Sequence, residues 1–192
     1  MKINQADFVI SAAATRQFPN TNLPEVAFAG KSNVGKSSLM NTILGRKGLV
    51  KTSATPGKTR QVNFFRINER YHFVDLPGYG FAKAPKHMRD TWEELVGGYI
   101  SLREPLRGVV LIVDIRHTPG ELDQHMKHWL AEQERPFIVV ANKADKLSRG
   151  QVAGHLRAVE QALELDEPPL AFSAQTGQGK AELWRWIQAR LA

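Results

Sequence analysis

The sequence predicts an α/β fold in which helices cover both faces of a mostly parallel, six-stranded sheet with one antiparallel hairpin at an edge. Short apolar runs alternate with longer segments of helical periodicity, as in βαβ units. Two runs, 109–113 and 137–140, are continuously apolar, as expected of strands that are buried on both faces. Only three residues separate 62–67 from 71–75, too few for a crossover, so these strands should form the hairpin.

The remaining elements follow in chain order. Strands are predicted near 26–29, 62–67, 71–75, 108–114, 137–142 and 169–173. Helices are predicted near 36–45, 89–103, 122–134, 149–164 and 179–191. A chain of 192 residues with 42% hydrophobic composition can bury a substantial core. We therefore expect one domain over residues 1–192, with residues 1–23 packed on it as an N-terminal extension.

The composition argues against several classes of protein. There is no apolar run of 18 residues, so no membrane span is predicted, and the N-terminus lacks the layout of a signal peptide. The chain has no cysteine, which excludes disulfides and thiolate metal sites. We expect a monomeric, cytoplasmic protein.

A glycine-rich loop follows the first predicted strand and leads directly into a helix. Residues 30–37 read G-x-x-x-x-G-K-S, and this strand–loop–helix context is typical of a phosphate-binding loop. Its two glycines let consecutive N–H groups face phosphate oxygens, while the lysine reaches the β- and γ-phosphates and the serine ligates Mg²⁺. The predicted nucleoside triphosphate contacts are Gly30, Lys31, Ser32, Asn33, Val34, Gly35, Lys36, Ser37 and Ser38.

Guanine is the base indicated by a second motif, Asn142-Lys143-Ala144-Asp145, which ends an apolar run. The aspartate can accept hydrogen bonds from N1–H and the exocyclic amine of guanine. Adenine lacks this donor pair and would leave the carboxylate unpaired, at a cost of about 1–3 kcal/mol. A further apolar run ends in Phe172-Ser173-Ala174, which resembles the last guanine-contacting loop of GTPases.

Two segments between these motifs are expected to sense the γ-phosphate. Residues 48–61 are rich in Thr, Gly and Lys and lack apolar periodicity, as expected of a mobile nucleotide-sensing loop. Strand 71–75 ends in Asp75-Leu76-Pro77-Gly78. The aspartate can hold a Mg²⁺-bound water, and the glycine N–H can bond the γ-phosphate.

The positive charge is concentrated in the first half of the chain. Residues 1–100 carry 14 Lys and Arg against 7 Asp and Glu, which equals the whole net charge of +7. No acidic residue occurs from 26 to 68. This excess exceeds what one triphosphate needs and suggests a polyanionic partner such as RNA, although a solubilising face without a partner is the alternative.

Taken in order, the motifs resemble those of the translation-factor-related GTPases from about residue 24 to the C-terminus. Finer matches at 30–38, 55–61, 63–65 and 75–80 resemble the EngB (YihA/YsxC) family, small bacterial GTPases of large ribosomal subunit assembly. The resemblance implies a G domain, GTP and GDP binding, Mg²⁺, slow hydrolysis used as a switch, and a link to cell division and septation. Alternatives are a GTPase switch for a non-ribosomal system and a septum-associated interaction protein.

The resemblance also assigns roles within residues 48–61. It implies that Thr59 is the switch threonine whose hydroxyl reaches Mg²⁺, with Thr55 as the chemical alternative in the same loop. The predicted protein ligands of the metal are therefore Ser37 and Thr59. The nucleotide contacts implied here are Gly57, Lys58, Thr59, Arg60 and Gln61.

No catalytic residue is assigned, and the candidates are Asn33, Lys36 and Thr59. Many GTPases use glutamine at the position of Tyr79 to orient water, and a phenol cannot use an amide's donor–acceptor pair. Hydrolysis is therefore expected to be slow. Asn33 resembles the asparagine that supports K⁺ in some related GTPases. The alternative is that Asn33 is simply a small polar residue of the loop.

Overall fold

The computed structural model describes residues 3–51, 61–80 and 86–192, with side chains in the last range described from Trp92 onward. Its strands are β1 (Ala6–Ala12), β2 (Glu25–Gly30), β3 (Val62–Ile67), β4 (Tyr71–Asp75), β5 (Leu106–Asp114), β6 (Phe137–Asn142) and β7 (Leu170–Ala171). Its α-helices are α1 (Lys36–Leu44), α2 (Lys86–Leu102), α3 (Glu121–Glu132), α4 (Arg149–Ala162) and α5 (Lys180–Leu191). None of the helices in these ranges is long and apolar enough to cross a membrane.

The strands form one mixed sheet in the order β1-β3-β4-β2-β5-β6-β7. The predicted α/β class, the mostly parallel sheet and the antiparallel β3–β4 hairpin are confirmed. The predicted strand number is wrong, because the described sheet has seven strands rather than six. Strand β1 pairs antiparallel with β3 and takes the edge position that had been predicted for the hairpin.

Strand β1 is irregular, which explains why periodicity did not reveal it. The register shifts between Phe8 and Ile10, so Val9 lies in a bulge. Phe8 and Val9 are 52% and 41% exposed, although the ring of Phe8 still meets that of Phe65 edge-on at 5.8 Å. A bulged strand with exposed apolar side chains lacks the clean alternation of a half-buried strand.

Alternating side chains of the central strands build two cores. Ala27 and Ala29 face α2, α3 and α4, whereas Val26 and Phe28 face α1 and α5. Fully burying one side chain as large as Phe28 stabilises the fold by about 1.5–3 kcal/mol, and both cores contain many such residues. Helices on both faces therefore hold the sheet rigidly beneath the loops at its carboxyl edge.

A buried ionic network ties the opposite edge together. Glu25 is fully buried, accepts hydrogen bonds from Arg103 at 2.6 and 3.1 Å and from the Tyr99 hydroxyl at 2.8 Å, and lies 3.4 Å from His72 Nδ1. Burial alone would raise the pKa of Glu25, but hydrogen bonds from His72, Arg103 and Tyr99 outweigh it and lower that pKa. Arg103 also donates to the carbonyl of Pro19 at 2.8 Å, which links the network to the N-terminal segment.

Candidate functional site

The loop between β2 and α1 is shaped by two glycines that admit no side chain. A Cβ on Gly30 would lie 2.7 Å from the carbonyl oxygen of Ile112 on β5. Gly35 has φ +91°, in the left-handed region, and a Cβ there would lie 2.5 Å from Nδ2 of Asn142. Both contacts are closer than real Cβ atoms allow, so the loop can only take this path with glycine at both positions.

The N-terminus of α1 is open to an anion. Within the described residues, α1 has no side-chain cap and no acidic residue in its first turn. The first N–H groups of a helix have no intrahelical partner and carry the positive end of its dipole. Lys36 and Ser37 are the first two residues of this helix. The charge of Lys36 and the hydroxyl of Ser37 therefore lie near those N–H groups. The arrangement can bind phosphate.

Lys36 pairs with Asp75 at the end of β4, the neighbour of β2 in the sheet. Their side chains are only 10% and 5% exposed, so both charges are largely desolvated and each needs the other. A phosphate bound here would contact Lys36 in place of Asp75, and a cation would contact Asp75 in place of Lys36. Within the described ranges, no group of three or more His, Cys, Asp or Glu residues could hold a metal by itself. A hydroxyl and a carboxylate beside a phosphate site are nevertheless the protein ligands that suit Mg²⁺, which takes its other ligands from phosphate and water.

The motif after β6 braces the phosphate-binding loop from the side. Asn142 is 1% exposed, and its Nδ2 donates to the carbonyl of Val34 at 2.9 Å and to that of Gly35 at 3.4 Å. Lys143, which has φ +69°, donates to the carbonyl of Asn33 at 2.6 Å. Its Nζ also lies 2.9 Å from Oδ2 of Asp114 at the end of β5. The two motifs, 107 to 110 residues apart in sequence, are therefore one structural unit.

Asp145 is held in place by Ser173. The serine hydroxyl, fully buried, donates to Oδ1 of Asp145 at 2.7 Å and accepts from the N–H groups of Gln175 and Thr176. This hydrogen bond is the main reason why the pKa of Asp145 lies below its ordinary value. The Ala144 N–H donates to the Phe172 carbonyl at 3.0 Å, and the Thr42 hydroxyl to the Ala174 carbonyl at 2.9 Å. A fixed, ionised carboxylate can accept the two donors of guanine.

Three residues that the sequence prediction did not single out organise this edge. Asp114 accepts two hydrogen bonds from the side chain of Arg116, at 2.9 and 2.7 Å, and pairs with Lys143. Although burial would raise it, the pKa of Asp114 is lowered by these partners. Asp123, in the first turn of α3, pairs with Lys31 at 2.8 Å. The sequence features that could have indicated them are an acidic residue at the end of a strand, Asp114, and another in the first turn of a helix, Asp123.

The side chain of Tyr79 is bound to Asp123. Its side chain is buried, and its hydroxyl donates to Oδ1 of Asp123 at 3.0 Å. Burial and the neighbouring carboxylate raise the pKa of Tyr79 well above its ordinary value. The phenol at this position therefore has a structural role.

The carboxyl ends of β2, β4, β6 and β7 bring most predicted nucleotide contacts to one edge of the sheet. These are residues 30–38, 75–78, 142–145 and 172–174. Gln61 is exposed just before β3. Gly57, Lys58, Thr59, Arg60 and the alternative Thr55 lie outside the described residues, as do residues 81–85, which follow the second predicted sensing segment.

Comparison with known proteins agrees with this geometry. A family model described as "50S ribosome-binding GTPase" matches residues 25–143. A probable GTP-binding protein EngB from Syntrophomonas wolfei is 50% identical over 183 residues, which cover 95% of this chain and 95% of that protein. The chain belongs to the EngB family of GTP-binding proteins.

Solved structures extend the likeness to the fold. The crystal structure of a probable GTP-binding protein EngB superposes with a TM-score of 0.72 at 27% identity, covering 87% of this chain and 98% of that one. The structure of an Era variant from Aquifex aeolicus, bound to GDP·AlF4⁻, gives a TM-score of 0.67 at 25% identity, covering 90% of this chain and 58% of that one. The predicted EngB resemblance and the G-domain fold are thus confirmed.

Proposed function

We propose that this EngB-family protein is a cytoplasmic, monomeric switch whose GTP-bound form binds a precursor of the large ribosomal subunit during assembly. Slow hydrolysis to GDP ends that interaction. The observation that carries the nucleotide part is the bonding of Asn142 and Lys143 to the phosphate-binding loop, which sets base and phosphate recognition at one fixed spacing. The ribosomal part is supported by the description of the matching family model and by the basic first half of the chain. A coupling of this switch to cell division and septation is part of the proposal and rests on the family resemblance.

Magnesium fits the residues at the phosphate end of the site. Ser37 offers a hydroxyl, and Asp75 offers a carboxylate that can hold a metal-bound water. Thr59 is the proposed second protein ligand, in the GTP state. When bound there, Mg²⁺ would supply positive charge to the phosphates, while the α1 N-terminus and Lys36 would bind the phosphate oxygens. Asp145 and Ser173 hold the base, and the remaining contacts are those predicted from the sequence.

The same arrangement supports the proposal of slow turnover. The hydroxyl of Tyr79 donates to Asp123 at 3.0 Å. Arg116, which lies near the loop, is held by both oxygens of Asp114. Neither side chain is free to stabilise the charge of the transition state, so we expect unassisted rates of about 10⁻⁴–10⁻³ s⁻¹, as for other small GTPases without an activator. A K⁺ ion supported by Asn33 is the proposed alternative source of that charge.

Co-sedimentation with isolated large ribosomal subunits tests the proposal. The protein should pellet with the subunits in a non-hydrolysable GTP analogue and stay in the supernatant in GDP. Equal pelleting in both nucleotides would argue against nucleotide gating. Absence of pelleting in either would favour a switch in a non-ribosomal system or a septum-associated interaction protein.

A variant in which four basic side chains are neutralised tests where the ribosome-binding surface lies. Arg46, Lys47 and Lys51 are exposed after α1, and Arg66 is half-exposed on β3, 3.7 Å from Glu69. Replacing these four residues with glutamine should leave GTP affinity intact. It should also flatten the salt dependence of pelleting by roughly one unit of logarithmic slope for each phosphate that the protein no longer neutralises. The matched control neutralises four exposed arginines from the second half of the chain: Arg149, Arg157, Arg185 and Arg190.

A further inference from the structure

A buried carboxylate joins the phosphate-binding loop to the segment that follows the Asp75–Gly78 motif. Asp123 is 4% exposed and lies in the first turn of α3. Its Oδ2 accepts from the Lys31 ammonium at 2.8 Å and from the Gly120 N–H at 3.1 Å. Its Oδ1 accepts from the Tyr79 hydroxyl at 3.0 Å. One side chain therefore binds both segments by charge-assisted hydrogen bonds, the stronger kind.

The backbones of the same two segments run side by side. The Ser32 N–H donates to the carbonyl of Tyr79 at 3.2 Å, and the Tyr79 N–H approaches that of Gly30 at 3.4 Å, forming an isolated parallel bridge. A Cβ on Gly78 would lie 3.0 Å from Oγ and 3.2 Å from the backbone nitrogen of Ser32. Gly78 therefore passes very close to the loop, and the pairing next to it fixes its position.

Trp92 on α2 anchors the same segment from another side. Its Nε1 donates to the carbonyl of Pro77 at 3.0 Å, and its ring meets that of Tyr79 edge-on, with centroids 6.3 Å apart. Pro77 and Tyr79, on either side of Gly78, are thus each tied to a helix. The backbone of Gly78 therefore lies between these anchors and against the phosphate-binding loop.

We propose that Asp123 is a positioning residue for recognition of the γ-phosphate. By binding Lys31 and Tyr79 together, it holds the Gly78 N–H beside the phosphate-binding loop, so that the protein distinguishes GTP from GDP. GDP has no γ-phosphate and does not use this N–H, so displacing the N–H affects only binding of the triphosphate. The inference rests on the proposed nucleotide-gated function and adds a residue that does not touch the nucleotide.

Two substitutions test the link with minimal change in shape. Asp123→Asn removes the charge and one acceptor, while Tyr79→Phe removes a single hydroxyl and keeps the ring against Trp92. Glu121→Gln is the matched control, because it neutralises an exposed carboxylate in the same helical turn. The dissociation constants of GDP and of a non-hydrolysable GTP analogue are measured by titration, together with the melting temperature of each variant.

Asp123→Asn should weaken binding of the GTP analogue about ten-fold, and Tyr79→Phe about three-fold, with GDP affinity changed less than about two-fold. The control should change neither. Equal losses for both nucleotides would mean a merely structural role and overturn the inference, as would unchanged affinity for the analogue. If Asp123→Asn does not fold, the milder Tyr79→Phe decides between the same outcomes. A wild-type protein that fails to bind the analogue would refute the proposed function itself, and this inference with it.

Discussion

Removing the hydroxyl that holds Asp145 should weaken guanine binding without destroying the site. In Ser173→Ala, Asp145 loses a 2.7 Å hydrogen bond, and the N–H groups of Gln175 and Thr176 lose an acceptor at 3.2 and 3.1 Å. A hydrogen bond to a charged group contributes about 1.5–3 kcal/mol. Even if only half of the upper value reaches the bound state, GDP and GTP should both bind about ten-fold more weakly, because both share the base.

The pH dependence of binding gives the same substitution a second readout. Ser173 is the main cause of the lowered pKa of Asp145, so in the wild type the carboxylate stays ionised to lower pH. In Ser173→Ala this pKa rises toward its ordinary value, about 3.9, and affinity should be lost at higher pH than in the wild type. The assay is titration of fluorescent GDP between about pH 3 and pH 6, which spans the ordinary pKa of an aspartate. The control is Ser148→Ala, which removes an exposed 2.8 Å hydroxyl hydrogen bond elsewhere. Unchanged GDP affinity and an unchanged pH profile would refute this reasoning.

Three other perturbations have clear expected outcomes. Lys36→Ala and Ser37→Ala should weaken GTP binding, with EDTA reproducing the serine effect; titrations showing unchanged affinity in both variants would contradict a phosphate role. If Asn33 supports K⁺, exchanging Na⁺ for K⁺ should raise the hydrolysis rate in phosphate-release assays, and Asn33→Ala should abolish the gain; equal rates in both salts argue against the ion. Glu25→Gln should lower the free energy of unfolding by about 3 kcal/mol at pH 7, since it leaves Arg103 without its buried partner. The pKa of Glu25 is lowered in the folded protein, so its contribution is lost as pH falls through that value. In urea denaturation the variant should therefore approach the wild type below about pH 4, and a pH-independent difference would count against the network.

Local sequence patterns predict most of the strands and helices and bring the main motifs of the candidate site to one edge of the sheet. Each phosphate or base motif sits at the end of an apolar strand, so its position at the carboxyl edge follows from parallel pairing alone. Gly35 is one example: the motif predicts a glycine there, and its positive φ and close approach to Asn142 explain why the position requires glycine. Helix bounds differ from prediction by a few residues, as expected where ends are set by capping.

What the sequence could not reveal depends on pairing between distant segments. Strand β1 is stabilised by β3, some 55 residues away, and its bulge hides the period. The role of Asp123 depends on partners that lie 92 and 44 residues away, Lys31 and Tyr79. The sequence alone shows Tyr79 in place of a catalytic amide, whereas its contacts with Trp92 and Asp123 depend on the folded structure. Buried side-chain networks of this kind leave no periodic signal.

Nucleotide selectivity is the most direct test of the central claim that Asp145 reads guanine. GTP, XTP and ATP are titrated against the wild type and Asp145→Asn in competition with fluorescent GDP or its xanthosine counterpart. The wild type should prefer GTP over both others, and Asp145→Asn should prefer XTP, because an amide can donate to the C2 carbonyl of xanthine. A wild type that binds ATP as tightly as GTP, or a variant that keeps the wild-type preference, would contradict the account.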